Sequence, residues 1–297
     1  MVQQAPELDD PNRWNSIKRK ANETRAAQAF DLFRANHIEP ILIKGVAAGL
    51  YYPDDHFRDA IDLDLAVAPQ AFEQAQELVA TKEAAALGID LHAGMRHLDP
   101  LDWPDLLANS RTVPMSQGSI RVLSPEDHLR ILCVHWLTDG GNNRERLWDI
   151  TYAIKNRPDS FDWHRFLDQV DRTRRRWLEC VVAISRSTHG LDLTGTPLEN
   201  VTLPEWVLAT VEAEWDSRMP FRPLRDSLDS WSSFFGQFRK RIPPNPITAT
   251  ILMSGSLDAP TRIHYQLATL FARMVPSVRM VAVALSTKIR TRRKRAA

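Results

Sequence analysis

The sequence predicts an α+β protein: a mixed β-sheet with flanking helices, followed by an all-helical C-terminal domain. Three observations carry this. Short apolar runs at Ile41–Ile43, Ile61–Val67 and Ile89–Ala93 have strand length and are separated by helix-like segments. Arg111–Met115 and Ser119–Leu123 flank Ser116-Gln117-Gly118, a hairpin with Gly at the turn. From Ser124 onward the pattern is helical almost throughout.

In chain order, residues 1 to about 14 read as a loose leader. Asn22–Asn36 follows as an amphipathic helix with Asn22 as its cap. Val46–Tyr52 is a helix stopped before Pro53, and Pro53–Asp59 is a loop. Pro69–Leu87 reads as one long helix, Pro at its start and Gly88 beyond its end. Ser124-Pro125-Glu126-Asp127 opens a helix by capping, a first-turn proline and acids at the positive helix end. Further helices are expected over 125–138, 144–156, 161–175, 177–189, 204–217, 223–240 and 262–285, with breaks at glycines and at Pro243-Pro244-Asn245-Pro246. The expected division is a leader over 1–20, a catalytic domain over 21–124, a helical domain over 125–287 and a basic tail over 288–297.

Charge is uneven along the 297 residues. Residues 1–125 hold 12 Lys/Arg against 18 Asp/Glu, whereas six basic residues crowd into 288–297. The helical part proper is therefore not strongly basic, and charge alone implies no general nucleic-acid affinity. Cys133 and Cys180 lie in apolar helical surroundings with no metal or redox spacing, as buried thiols do in a reducing compartment. The N-terminus lacks the basic-then-apolar order of a signal peptide. No apolar run is long enough to span a bilayer, so a cytoplasmic protein without a membrane span is expected.

The chemistry concentrates between Ile41 and Pro69. Asp62 and Asp64 sit two apart in a strand among Ile61, Leu63, Leu65 and Val67, and residues i and i+2 of a strand share a face. Two such acids repel unless a divalent cation lies between them; Mg²⁺, a hard ion that takes oxygen ligands, meets that need. Asp90, in the next strand Ile89-Asp90-Leu91-His92-Ala93, is the third candidate ligand. Unpaired carboxylates on buried strands cost several kcal/mol, roughly, which a metal or a paired cation relieves. Lys44-Gly45 follows the first strand, where Gly permits close backbone approach ahead of a helix N-terminus suited to phosphate. His92 shares the face of Asp90 and reads either as a contact to the acceptor or to a ligand, or as a hydrogen-bonded sheet histidine. His135 reads as packing within its helix. Arg172–Arg176 fan around a helix and read as a solvated face, and the tryptophans read as packing residues.

The order Ile41-Leu42-Ile43-Lys44-Gly45, Tyr52-Pro53, Arg58, Asp62-Leu63-Asp64-Leu65 resembles the uncharacterised bacterial nucleotidyltransferase family of the polymerase-beta-like superfamily. The similarity continues through Asp90-Leu91-His92, Leu123–Leu129, His135 and Arg146–Ile150, covering roughly residues 25–155. Val46 departs from the Gly-Ser or Gly-Gly of many nucleotidyltransferases, leaving Lys44 and backbone N–H groups to bind phosphate.

The resemblance implies a nucleotidyltransferase-type sheet and a transferase acting at the α-phosphate. Asp62, Asp64 and Asp90 would hold two Mg²⁺ ions, with Asp90 also orienting or deprotonating the acceptor hydroxyl. Lys44, Gly45 and Arg58 would bind the nucleoside triphosphate. The acceptor would be a hydroxyl on a small molecule, peptide or protein. A related pattern, similar to toxin-type enzymes, makes nucleotide addition to tRNA the alternative, and a catalytically silent binding module is a third reading.

Overall fold

The computed structural model describes residues 11–95, 101–217 and 231–273. Five short strands form one mixed sheet: β1 (Ile41–Leu42), β2 (Leu63–Val67), β3 (Ile89–Ala93), β4 (Arg111–Pro114) and β5 (Ser119–Val122), in the order β3-β2-β1-β5-β4. β1 is antiparallel to β2 and parallel to β5; β2 and β3 are parallel; β4 and β5 form the hairpin turned at Gly118. With the helices this is the α+β architecture expected, and the described part of its C-terminal region is helical.

Alternation along the strands builds two layers. Leu63, Leu65 and Val67 face a core shared with Leu42, Ile120, Val122 and the Ala26, Ala29, Phe30, Phe33 stripe of α1 (Pro11–Ala35). Ile41, Ile43 and Ala66 face the opposite layer with Leu106, Leu123 and Ile131. Asp64 therefore points to the second face, between Leu63 and Leu65, which point to the first.

Helix α1 begins at Pro11, well before Asn22, so residues 11–20 are helical and not a loose leader; residues 1–10 lie outside the described ones. Arg19 ties this extension to the 53–54 loop, bonding the Pro53 carbonyl at 3.2 Å and Asp54 at 3.1 Å. The single helix expected over Pro69–Leu87 is instead a 3₁₀ turn (Pro69–Ala71), then α3 (Phe72–Val79) and α4 (Lys82–Ala85). The break falls at Thr81, whose hydroxyl caps α4 by accepting from the Ala84 N–H at 3.3 Å.

Beyond α2 (Val46–Gly49) and α5 (Trp103–Asn109), α6 (Pro125–Thr138) and α7 (Leu147–Lys155) fall where expected. α8 (Trp163–Asp168) is capped by Asp162, and the basic run opens α9 (Arg172–His189), not the end of the helix expected over 161–175. Arg175 pairs with Glu179 at 3.0 Å and Arg176 with Asp258 at 2.8 Å, so these two are ion-paired. α10 (Glu205–Trp215) and α11 (Trp231–Lys240) follow, residues 223–230 of the expected helix being outside the described ones. α12 (Pro246–Leu252) lies where a proline-rich break was expected: Asn245 caps it, bonding the N–H groups of Ile247 and Thr248, and Pro246 opens it. Residues 263–273 are helical; 274–297, including the basic tail, lie outside the described residues.

The chain divides into two compact units, one comprising residues 1–135, 145–171 and 185–200, the other 136–144, 172–184 and 201–297. In the first, Asp127 is fully buried and joined by both Arg130 and, at 2.6 Å, Arg165. In the second, tryptophans pack with their indole N–H groups satisfied, Trp177 on Gly255 and Trp206 on Leu257. Among the described residues no helix is long and apolar enough to cross a membrane.

Candidate active site

The parallel pairing of β2 with β3 puts Asp64 opposite Asp90 and Ala66 opposite His92. Paired residues of neighbouring strands point to the same face, so Asp64, Asp90 and His92 gather at one spot. His92 Nε2 lies 3.4 Å from Asp64 Oδ1 and 3.3 Å from Asp90 Oδ2, and one ligand atom from each of the three falls within 4.8 Å of the others. These spacings exceed those of a strong charge-assisted hydrogen bond, about 2.7–2.9 Å, and suit ligands arranged around a cation. Asp64 is buried while Asp90 is half exposed, so the cluster has a protected floor and an open side.

Lys44 leaves the end of β1, where the Ile43 N–H bonds the Asp64 carbonyl at 3.0 Å, and sets its Nζ 2.6 Å from Asp64 Oδ1. Gly45 turns the chain at φ 52° and ψ −105°, a conformation that excludes most side chains. A Cβ there would stand 3.6 Å from Asp64 Oδ2 and 3.5 Å from the Asp62 carbonyl, so glycine brings backbone against the acid. Burial alone would raise the Asp64 pKa; the His92 hydrogen bond and the Lys44 charge outweigh it and hold the group below its ordinary range.

Asp62 differs from expectation. β2 begins only at Leu63; Asp62 is exposed in the bend before it and is not a member of the three-residue group. The cause lies in α1: Arg25 donates to the carbonyls of Ile61 at 2.7 Å and Ala60 at 3.1 Å, pinning that segment before it can extend the strand. α2 is a single turn of four residues, too short for a helix dipole to hold phosphate, which leaves Lys44 as the cation there.

Arg58 is also committed elsewhere. Its Nε and Nη2 grip both oxygens of Asp149 at 2.7 and 3.0 Å, and its Nη1 bonds the Asp59 carbonyl. Tyr52 donates to the same carboxylate at 2.6 Å. Burial tends to lower the Arg58 pKa, but Asp149 more than compensates, and the Asp64 charge is also felt there. Arg58 thus borders the cluster while tying the 53–59 loop to α7. Sequence neighbours do not reveal this network, whose partners are 91 residues apart; the one local signal is an acid inside the apolar run Leu147-Trp148-Asp149-Ile150. Around it, His56 bonds the Tyr152 hydroxyl at 2.9 Å, and Trp148 stacks on His189 with ring centroids 3.7 Å apart. His135 contacts Arg146 at 3.1 Å, away from the three-residue group.

Two carboxylates, an imidazole and a lysine thus meet at one spot of the mixed sheet. Residues 79–184 match the family described as uncharacterised nucleotidyltransferase, the resemblance that the motifs carry. That match includes Asp90 and His92 but begins after Lys44 and Asp64. Among solved structures the chain is similar to an antigenic nucleotidyltransferase-like protein from Paracoccidioides brasiliensis, with 12% identity and a TM-score of 0.40 over 61% of this chain and 93% of that one. No curated protein sequence matches the chain.

Proposed function

We propose that this chain is a Mg²⁺-dependent nucleotidyltransferase that moves a nucleoside monophosphate from an NTP to a hydroxyl on a small molecule, peptide or protein, releasing pyrophosphate. The observation that carries the proposal is the pairing of Asp64 with Asp90, His92 between them, beside Lys44. Two carboxylates and one imidazole are a donor set that fits a divalent cation. Asp64, Asp90 and His92 would hold it; Asp62, one bend away, is available to a second ion. Such an ion, when bound, neutralises phosphate oxygens and the charge that develops during an in-line displacement.

The chain's own groups supply the rest. The half-exposed Asp90 accepts the hydroxyl proton as the acceptor oxygen attacks the α-phosphorus. The bond from the α-phosphorus to the bridging oxygen breaks, and pyrophosphate leaves with that electron pair. Lys44 places an ammonium against the triphosphate, and Gly45 lets backbone approach it. Asp64, buried and held ionised, orients the cluster.

The test is incubation of purified protein with each α-labelled NTP, Mg²⁺ and cell lysate, followed by identification of the labelled species. Label on a small molecule, peptide or protein, abolished in Asp64→Asn, supports the proposal. Label on tRNA favours the toxin-type activity. Neither labelling nor binding of any NTP leaves a silent binding module.

A further inference from the structure

We propose that Lys44 and the divalent cation are alternative partners of one oxygen, Asp64 Oδ1, so that cation and nucleotide load as a coupled pair. This rests on the nucleotidyltransferase reading above and adds to it the order in which the site fills.

Asp64 offers two oxygens, and they are not equivalent. Oδ2 is the oxygen on the Gly45 side, 3.6 Å from where a Cβ of that residue would stand. Oδ1 is the oxygen that faces His92 Nε2 at 3.4 Å, on the side of Asp90. Oδ1 is therefore the oxygen best placed to share a cation with His92 and Asp90. That oxygen is already held by the Lys44 ammonium at 2.6 Å, and the Lys44 side chain is only 15% exposed. A divalent ion entering this site meets a positive charge in its own ligand sphere, an unfavourable arrangement in a partly buried, low-dielectric setting.

Lys44 must then leave Oδ1, and the cost depends on where its ammonium goes. Without nucleotide it loses a buried ion pair and gains only water. With nucleotide it exchanges a carboxylate for triphosphate oxygens, and the cation gains phosphate ligands as well. The protein without nucleotide is consequently a poor binder of bare cation, and nucleotide raises cation affinity. By linkage the cation raises nucleotide affinity by the same factor, on the order of tenfold or more. Lys44 acts here as a coupling residue, in addition to its charge on the phosphate.

The experiment measures Mn²⁺ binding by electron paramagnetic resonance, with Mn²⁺ alone and with Mn²⁺ plus the unreactive analogue α,β-methylene-ATP, on the full chain. The wild type should bind Mn²⁺ alone weakly and the pair at least tenfold more tightly. Lys44→Met should bind Mn²⁺ alone about tenfold more tightly than wild type, with a larger Mn²⁺-induced rise in Tm and a reduced effect of the analogue. Lys44→Arg, which keeps the charge, should behave as wild type; a second neutral variant, Lys44→Gln, covers the case in which Lys44→Met does not fold. Unchanged or weaker binding of Mn²⁺ alone in the neutral variants, with Mn²⁺ bound by all forms, overturns the coupling and leaves the nucleotidyltransferase reading standing. Failure of every form to bind Mn²⁺ or the analogue overturns both.

Discussion

Replacing Arg58 by Met separates a loop tie from a nucleotide contact. In the folded chain the Asp149 side chain is 6% exposed and accepts three hydrogen bonds: 2.6 Å from Tyr52, and 2.7 and 3.0 Å from Arg58. Methionine fills much of the volume of the arginine stem but removes two charge-assisted bonds and the counter-charge. Removing one partner of a buried pair costs about 3–5 kcal/mol. The low end applies here, because the Tyr52 hydroxyl remains and Arg58 is itself 16% exposed. A loss of about 3 kcal/mol corresponds to a fall in Tm of roughly 6–12 °C for a unit of this size. Thermal and urea unfolding should show it, while affinity for an NTP analogue, measured below the transition, changes less than threefold. The double variant Arg58→Met, Asp149→Leu should recover part of the loss, since no orphaned carboxylate remains. Stability within about 0.5 kcal/mol of wild type, together with lost nucleotide affinity, would refute the tie and return Arg58 to the triphosphate.

Three other outcomes follow from the geometry. His128 is wholly buried and its pKa is pushed down by burial to about 3, so it is neutral in the fold and takes a proton on unfolding below its ordinary value near 6.5. Its contribution is complete above about pH 6.5 and is lost as pH falls toward 3; urea midpoints between pH 7 and 5 should decline less in His128→Gln than in wild type. Gly45→Ala forces a side chain into a glycine conformation at φ 52° and should cost about 1–3 kcal/mol while lowering any transfer activity, checked by calorimetry and the labelling assay. Cys133 and Cys180 are buried, and burial raises both thiols, that of Cys180 to about 12. Neither should react with a thiol reagent until the chain unfolds, and a fast phase in native buffer would contradict this burial.

Local pattern made the strands legible, because apolar runs of strand length and a glycine turn follow from sequence neighbours alone. Strand pairing then follows from the order of segments, and with it the meeting of Asp64 and Asp90. The pairings that decide what each charge does were not legible. Lys44 meets Asp64 across a turn whose direction is set by the unusual backbone of Gly45. Arg58 meets Asp149 only because α7 packs beside the loop. Asp62 reads as the twin of Asp64 by spacing, yet Arg25 holds the preceding carbonyls and the strand starts one residue later. His92, read from sequence as a contact to acceptor or ligand or as a hydrogen-bonded sheet histidine, stands between the two carboxylates because parallel register sets it two pairs beyond Asp90, on the same face.

The interleaving of the two units along the chain has a practical outcome. Three separate stretches build the unit that carries the sheet, and the last of them ends at Asn200. A fragment stopped at Ser124 would lack Asp149, leaving the Arg58 guanidinium without its acid, and would lack the whole Asp127–Arg130–Arg165 knot. Truncation from the C-terminal side that passes the region of residue 200 should thus give insoluble or molten products, not a trimmed sheet unit.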